Sequence, residues 1–224
     1  MATPASPIAT AAPPELAFSV LDAARVPFSA APTLAFSLQI ESLGGQAIRS
    51  VLLDAQIQIG ARRRAYDPGE QAALFELFGA TKDWGTSLRT LLWTRITRVV
   101  PPFTGSTVVD LPVDCSYDLE VAASRYFDAL RDGEVPLEFL FSGTVFYSGP
   151  GGGLQTMRIS WEQEAAYRLP VAVWRQTIDG HFPGTAWLRL RRDSFERLRA
   201  YRSRHALASW EDALDALLGD GEAG

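Results

Sequence analysis

The first two thirds of the chain alternate apolar and polar positions with a period of two, the spacing of a β-strand with one buried and one wet face. Leu16, Phe18 and Val20 share one side of "LAFSV", and Leu34, Phe36, Leu38 and Ile40 share one side of "TLAFSLQIES". In "VLLDAQIQIG", Val51, Leu53, Ala55, Ile57 and Ile59 alternate with Leu52, Asp54, Gln56 and Gln58. "SLGGQ", between the second and third of these segments, carries the Gly-Gly signal of a hairpin. "YDPGEQAALFELFG" breaks the alternation: Asp67 caps a helix, Pro68 opens it, Leu74, Phe75 and Phe78 have helical spacing, and Gly79 closes it. Strands resume in "LLWTRITRVV", "STVVDLPV", "YDLEVAA", "PLEFLFSGTVFY" and "LQTMRISWEQEAAY", with a short helix expected in "ASRYFDALRDGEV".

About seven to nine short strands without repeated strand–helix alternation predict a mainly β fold. The expected architecture is an antiparallel β-sandwich, immunoglobulin-like or related, with one inserted short helix and a C-terminal helical segment. Residues 1–14, rich in Pro, Ala, Ser and Thr, read as a disordered tail. The sandwich is expected over 15–169, a strand–helix–helix segment packed on it over 170–219, and a short tail over 220–224. In the last segment "VAVWRQTIDGHFPG" reads as a helix ending near Gly180. "AWLRLRRD" reads as a strand, Asp193 caps a helix carrying Phe195, Leu198 and Tyr201 inward, and Ser209 with Asp212 makes a capping box for a last helix ending at Gly219.

A chain of 224 residues buries enough surface to need neither metal nor disulfide, and its lone Cys115 has no partner for one. The opening stretch lacks the basic and apolar regions of a secretory signal, and no run of about eighteen apolar residues occurs. A cytoplasmic protein without a membrane span is expected. Net charge is −5, which argues against a surface built to coat nucleic acid. The charge is uneven: residues 185–208 hold seven arginines (Arg189, Arg191, Arg192, Arg197, Arg199, Arg202, Arg204) against Asp193 and Glu196.

Candidate chemistry is sparse. His181, His205 and Cys115 lack metal-ligand spacing, and Cys115 in a strand-like context reads as a buried thiol. "GPGGG", Gly149 to Gly153, precedes a strand rather than a helix and has no lysine after it, so it reads as a hairpin turn, not a phosphate cradle. Asp110, Asp114, Asp118 and Glu120 read as a solvated acidic edge, lacking EF-hand spacing, and Glu162 and Glu164 as two carboxylates on one strand face. No catalytic residue, metal or cofactor is expected.

The arginine-bearing strand followed by two helices resembles the ribbon-helix-helix DNA-binding family, which implies base contacts from Trp187, Arg189 and Arg191. Against that reading stand Glu211, Asp212 and Asp215, which phosphates would repel. A wider resemblance runs through "PTLAFSLQIES", "WGTSLRTLLW", "FTGSTVVDLPVDCSYDLEVAASRYFDALRDGEVPLEFLFSGTVF" and "HFPGTAWLRL". These segments resemble an uncharacterised bacterial family of conserved hypothetical proteins found beside actinobacterial-type nickel–iron hydrogenase genes. The resemblance implies an accessory or assembly role beside a hydrogenase and assigns no catalytic residue.

The reading that follows is a non-enzymatic interaction protein, monomer or homodimer, that binds another protein. Its contact patch is expected at Trp187, Arg189 and Arg191, or at the acidic edge of Asp114 and Asp118. The alternatives are a DNA-binding regulator using the C-terminal segment and a sandwich that binds a small ligand.

Overall fold

The structure is a computed structural model that describes residues 13–115, 121–149, 152–181, 183–185 and 190–222. The chain divides into two compact units, Met1–Ala186 and Trp187–Gly224.

The first unit is a sandwich of two antiparallel sheets. Its strands are β1 (Leu16–Arg25), β2 (Thr33–Ser42), β3 (Ile48–Ile59), β4 (Leu91–Val100), β5 (Ser106–Asp114), β6 (Glu134–Ser148), β7 (Leu154–Arg158) and β8 (Glu164–Pro170). One sheet has the order β1-β2-β5, the other β4-β3-β6-β7, with β8 also pairing β6. This is an immunoglobulin-like order, and the expected mainly β, antiparallel sandwich is what the chain forms. The alternation produces it directly. Leu34, Phe36, Leu38 and Ile40 of β2 and Val51, Leu53, Ala55, Ile57 and Ile59 of β3 are all buried, so two inward stripes form one core.

Pairing differs from expectation at two places. "SLGGQ" does not close a hairpin, because β2 and β3 lie in different sheets. Gly45, at φ 67°, instead turns the chain from one sheet to the other. "LQTMRISWEQEAAY" is not one strand but two, β7 and β8, which pair successive halves of β6. The break faces Gly143, at φ 139°, whose carbonyl accepts from Ile159 N at 3.1 Å. Trp161 sits in the intervening turn, 86% exposed, and Glu162 shares that turn rather than the strand face of Glu164. Of "GPGGG", residues 150–151 lie outside the described residues; the described glycines lie between β6 and β7, where Gly149 N donates to Gly153 O at 2.8 Å.

Helices gather in the connections at one end. The β3–β4 connection contains α1 (Pro68–Ala73), α2 (Phe75–Phe78) and α3 (Trp84–Ser87). Asp67 caps α1 by accepting from Gly69 N and Glu70 N, Glu70 returns the contact to Asp67 N, and Gly79 ends α2 at φ 71°. The β5–β6 connection contains α4 (Ala122–Asp128), and β8 runs into α5 (Val171–Asp179). Most of "YDLEVAA", expected as a strand, lies outside the described residues, and its last two alanines open α4. Trp174 of α5 stacks on Phe127 of α4, with ring centres 5.3 Å apart, and Ile178 is buried one turn later.

The second unit is a hairpin of α6 (Arg192–Arg204) and α7 (Trp210–Glu222). Asp193 is not the cap of α6: Arg191 takes that position with extended backbone and no side-chain bond, leaving Asp193 in the first turn, where a carboxylate favours the helix dipole. The Ser209–Asp212 capping box forms, with Ser209 N donating to Asp212 Oδ2 and Asp212 N to Ser209 Oγ, both at 2.9 Å. α7 does not stop at Gly219 but runs on to Glu222, since one glycine within an otherwise helical run costs only about 1 kcal/mol.

Candidate interaction surface

Several reactive or titratable side chains lie inside the fold. Cys115 is buried, and burial pushes its thiol up to about 12, which removes the thiolate a nucleophile requires. Tyr66 and Tyr126 share a hydrogen bond between hydroxyls at 2.8 Å, and Tyr66 also reaches Ala61 O at 2.7 Å. Burial, above all, pushes both phenols upward. Arg64 pairs with Glu70 at 2.6 Å, and both side chains are shielded from solvent. No group of three or more His, Cys, Asp or Glu suited to a metal occurs among the described residues.

Of the residues expected to form a contact patch, Asp114 is the last residue of β5, and its side chain is exposed. It accepts from Thr33 Oγ1 at 3.2 Å, and Asp110 accepts likewise from Ser37 Oγ at 3.2 Å. Both aspartates alternate with buried Leu111 and Val113, so both stand on the outer face. Asp118, Trp187 and Arg189 lie outside the described residues. Arg191 is exposed and not in a strand.

The turn beside Asp114 holds a feature absent from the expected patch. β1 and β2 are joined by residues 26–32, closed by Val26 N donating to Thr33 O at 2.8 Å and fastened by Cys115 N donating to Pro32 O at 2.7 Å. At its tip Phe28 has φ 56° and an exposure of 102%. A bulky residue in the left-handed region is an outlier, and an aromatic ring fully in water forgoes the burial that usually justifies it. The turn holds it there: the Ser29 hydroxyl lies 3.2 Å from Val26 O and 2.5 Å from Ala31 O, and the Thr33 hydroxyl reaches Ala31 O at 2.8 Å. On the adjoining side Arg25 Nη2 donates to Gly180 O at 3.0 Å, at the end of α5. A hydrogen-bonded tip therefore presents an aromatic ring, with the exposed side chains of Asp114 and Arg25 at the ends of the neighbouring strands. The sequence signal was available, since "VPFSAAP" places a phenylalanine where a proline-bounded turn normally carries polar residues.

The second unit has its own apolar surface. Leu198 and Tyr201 of α6 and Leu214 and Leu217 of α7 line a cleft of about 710 Å3, with Arg197 and Arg204 along the α6 side.

These features define an immunoglobulin-like β-sandwich protein with a C-terminal helical hairpin. The chain belongs to a family of unknown function, DUF6084, whose pattern matches residues 13–224. No curated protein matches it. Among solved structures it is similar to the CARDB domain of a Pyrococcus furiosus protein in complex with di-metal ions, at 9% identity, covering 70% of this chain and 92% of that one, with a TM-score of 0.28. It is also similar to the putative ApaA protein of Bordetella pertussis, at 13% identity over 70% and 94% of the two chains, with a TM-score of 0.27. A third likeness is to a putative late embryogenesis abundant protein, at 15% identity over 70% and 72%, with a TM-score of 0.31. No helix among the described residues is long and apolar enough to cross a membrane.

Proposed function

We propose that this chain is a non-enzymatic, cytoplasmic accessory protein that binds another protein through the end of its sandwich, with Phe28 as the central contact. The observation that carries the reading is Phe28 itself, fully exposed and held at φ 56° in a fastened turn. Strain of this kind costs about 1–3 kcal/mol and is characteristic of positions kept for recognition. Aromatic rings beside charged residues are the usual anchors of such contacts. The resemblance to a family found beside nickel–iron hydrogenase genes suggests the partner class, a hydrogenase subunit or one of its assembly proteins.

The test uses Phe28→Gly. Glycine adopts a positive φ without strain, so the variant keeps or raises the melting temperature while losing the ring. Wild-type protein cross-links to the purified hydrogenase or its assembly proteins, and Phe28→Gly does not. Equal cross-linking by both proteins, or none by wild type, would overturn the reading.

A further inference from the structure

The helical hairpin cannot complete a core from its own residues. It has fewer than forty residues, a size at which folded units ordinarily need a staple or a partner. No residue of α6 is buried, and in α7 the described residues include one buried apolar side chain, Ala213. Phe195 meets Trp210 at 5.3 Å, and Arg202 lies over the Trp210 ring at 4.1 Å. Those contacts clamp the helices together, yet Leu214 and Leu217 remain 39% and 41% exposed along the cleft.

Charge identifies the occupant. α6 carries Arg192, Arg197, Arg199, Arg202 and Arg204 against Asp193 and Glu196, whereas α7 carries Glu211, Asp212 and Asp215 and no cation. One hairpin thus has a basic helix and an acidic helix joined by a short turn, each with an apolar stripe. Two such hairpins stacked about a twofold axis with antiparallel neighbours have two choices. Either like helices face each other, setting arginines on arginines, or each α6 faces the other copy's α7. Only the second pairs opposite charges, and it is isologous, so both copies gain the same contacts. Glu211 and Asp215 lie four apart, on the same side of α7, and flank Leu214 and Leu218 by helical spacing. Arg197 and Arg204 take the matching margin of α6.

We infer that the cleft is filled by the same cleft of a second copy, α6 lying antiparallel on the partner's α7, so that the protein is a homodimer through a four-helix bundle. The inference is independent of Phe28, which sits on the other unit.

The experiment is light scattering on the full-length chain from low to high micromolar concentration. Wild type runs at the mass of two chains. Leu198→Glu with Leu217→Glu runs as a monomer whose near-ultraviolet spectrum, dominated by the sandwich aromatics, is unchanged. Two charge-reversed proteins separate a second copy from any other occupant: Arg197→Glu with Arg204→Glu, and Glu211→Arg with Asp215→Arg. Each alone should dimerise at least about tenfold more weakly, because attraction becomes repulsion at both symmetric sites. Mixed together, they should form a heterodimer. A wild type that is monomeric throughout the range, or reversed proteins that fail to pair on mixing, would overturn the inference. A Phe28→Gly protein that loses its partner yet stays dimeric would show that the two contacts are separate.

Discussion

Arg64 and Glu70 face each other at 2.6 Å with side-chain exposures of only 9% and 2%. The same Glu70 carboxylate accepts from Arg131 N at 2.9 Å and from Asp67 N at 3.3 Å, and Arg64 donates to Asp132 O at 2.8 Å. The pair therefore ties the β3–β4 insertion to the connection that leads into β6. Desolvating two charges is expensive, and these extra hydrogen bonds are what make a buried pair tolerable.

Removing one partner should be worse than removing both. Glu70→Ala leaves a buried guanidinium without its carboxylate and should cost about 3–5 kcal/mol in chemical denaturation. Arg64→Met combined with Glu70→Gln should cost less than the two single changes added together, because neither product strands a charge. Strict additivity would show that the two residues do not act as a pair. Both contacts of Arg64 leave from one nitrogen, Nη2, so Arg64→Lys should lose stability only as far as the shorter side chain fails to bring its ammonium to Glu70 and Asp132.

Gly143 should resist every side chain. A Cβ built there would lie 2.0 Å from Leu52 O, and the backbone φ of 139° belongs to glycine. The obstacle is the backbone of β3, the central partner of β6, so rotamer change cannot relieve it. Gly143→Ala should therefore lose at least about 2 kcal/mol. A melting curve equal to wild type would mean the two strands separate more easily than their register implies.

How much of this was legible in the sequence differs by type of information. Alternation identifies which face of β2 and β3 is buried, and that reading is correct position by position. It says nothing about which strand lies alongside, because a hairpin and a crossover bury the same faces. That is why "SLGGQ" suggested a pairing that does not exist. The split of the last strand was hidden for a similar reason: "LQTMRISWEQEAAY" has strand composition throughout, and the break shows only in the pairing with β6, where it falls opposite Gly143. Of the candidate surface, Asp114 was visible as an exposed acidic position at the end of its strand. For Phe28, "VPFSAAP" shows an aromatic residue in a proline-bounded turn, but the left-handed φ that turns the ring outward is set by the turn's hydrogen bonds, which the pattern does not show. Asp67 is legible as a cap, and Glu70 three residues later completes the capping-box pattern that the structure forms.

Alkaline pH should expose the buried neutral groups. Cys115 stands above its ordinary value of 9.0, and Tyr66 and Tyr126 above theirs of 10.0, each chiefly through burial. All three are neutral when protonated, so the unfolded chain releases these protons first as pH rises. Their contribution to stability is complete below pH 9.0 and declines as pH climbs from the unfolded values through the folded ones. Cys115→Ala should remove the part of that decline lying between 9.0 and about 12. At neutral pH the native thiol should not react with a disulfide reagent until the protein is denatured. Rapid native labelling would place Cys115 at the surface and contradict its burial.

The turn between α6 and α7 offers a stabilising change. Ala206 has φ 49°, its amide donates to Ser203 O at 3.3 Å, and Leu207 N donates to Arg202 O at 3.1 Å. These two bonds close the end of α6 in the pattern that normally places glycine at the left-handed position. Alanine there carries a conformational cost of about 1–2 kcal/mol. Glycine removes that cost but loses about 0.4–1 kcal/mol to the freer unfolded chain, so Ala206→Gly should gain a few tenths to about 1 kcal/mol. The gain is local, and amide exchange of Leu207 reports it: exchange should slow in Ala206→Gly and quicken in Ala206→Val, whose branched side chain fits a positive φ worst. Faster exchange in the glycine variant would mean that the left-handed turn is not what holds the hairpin closed.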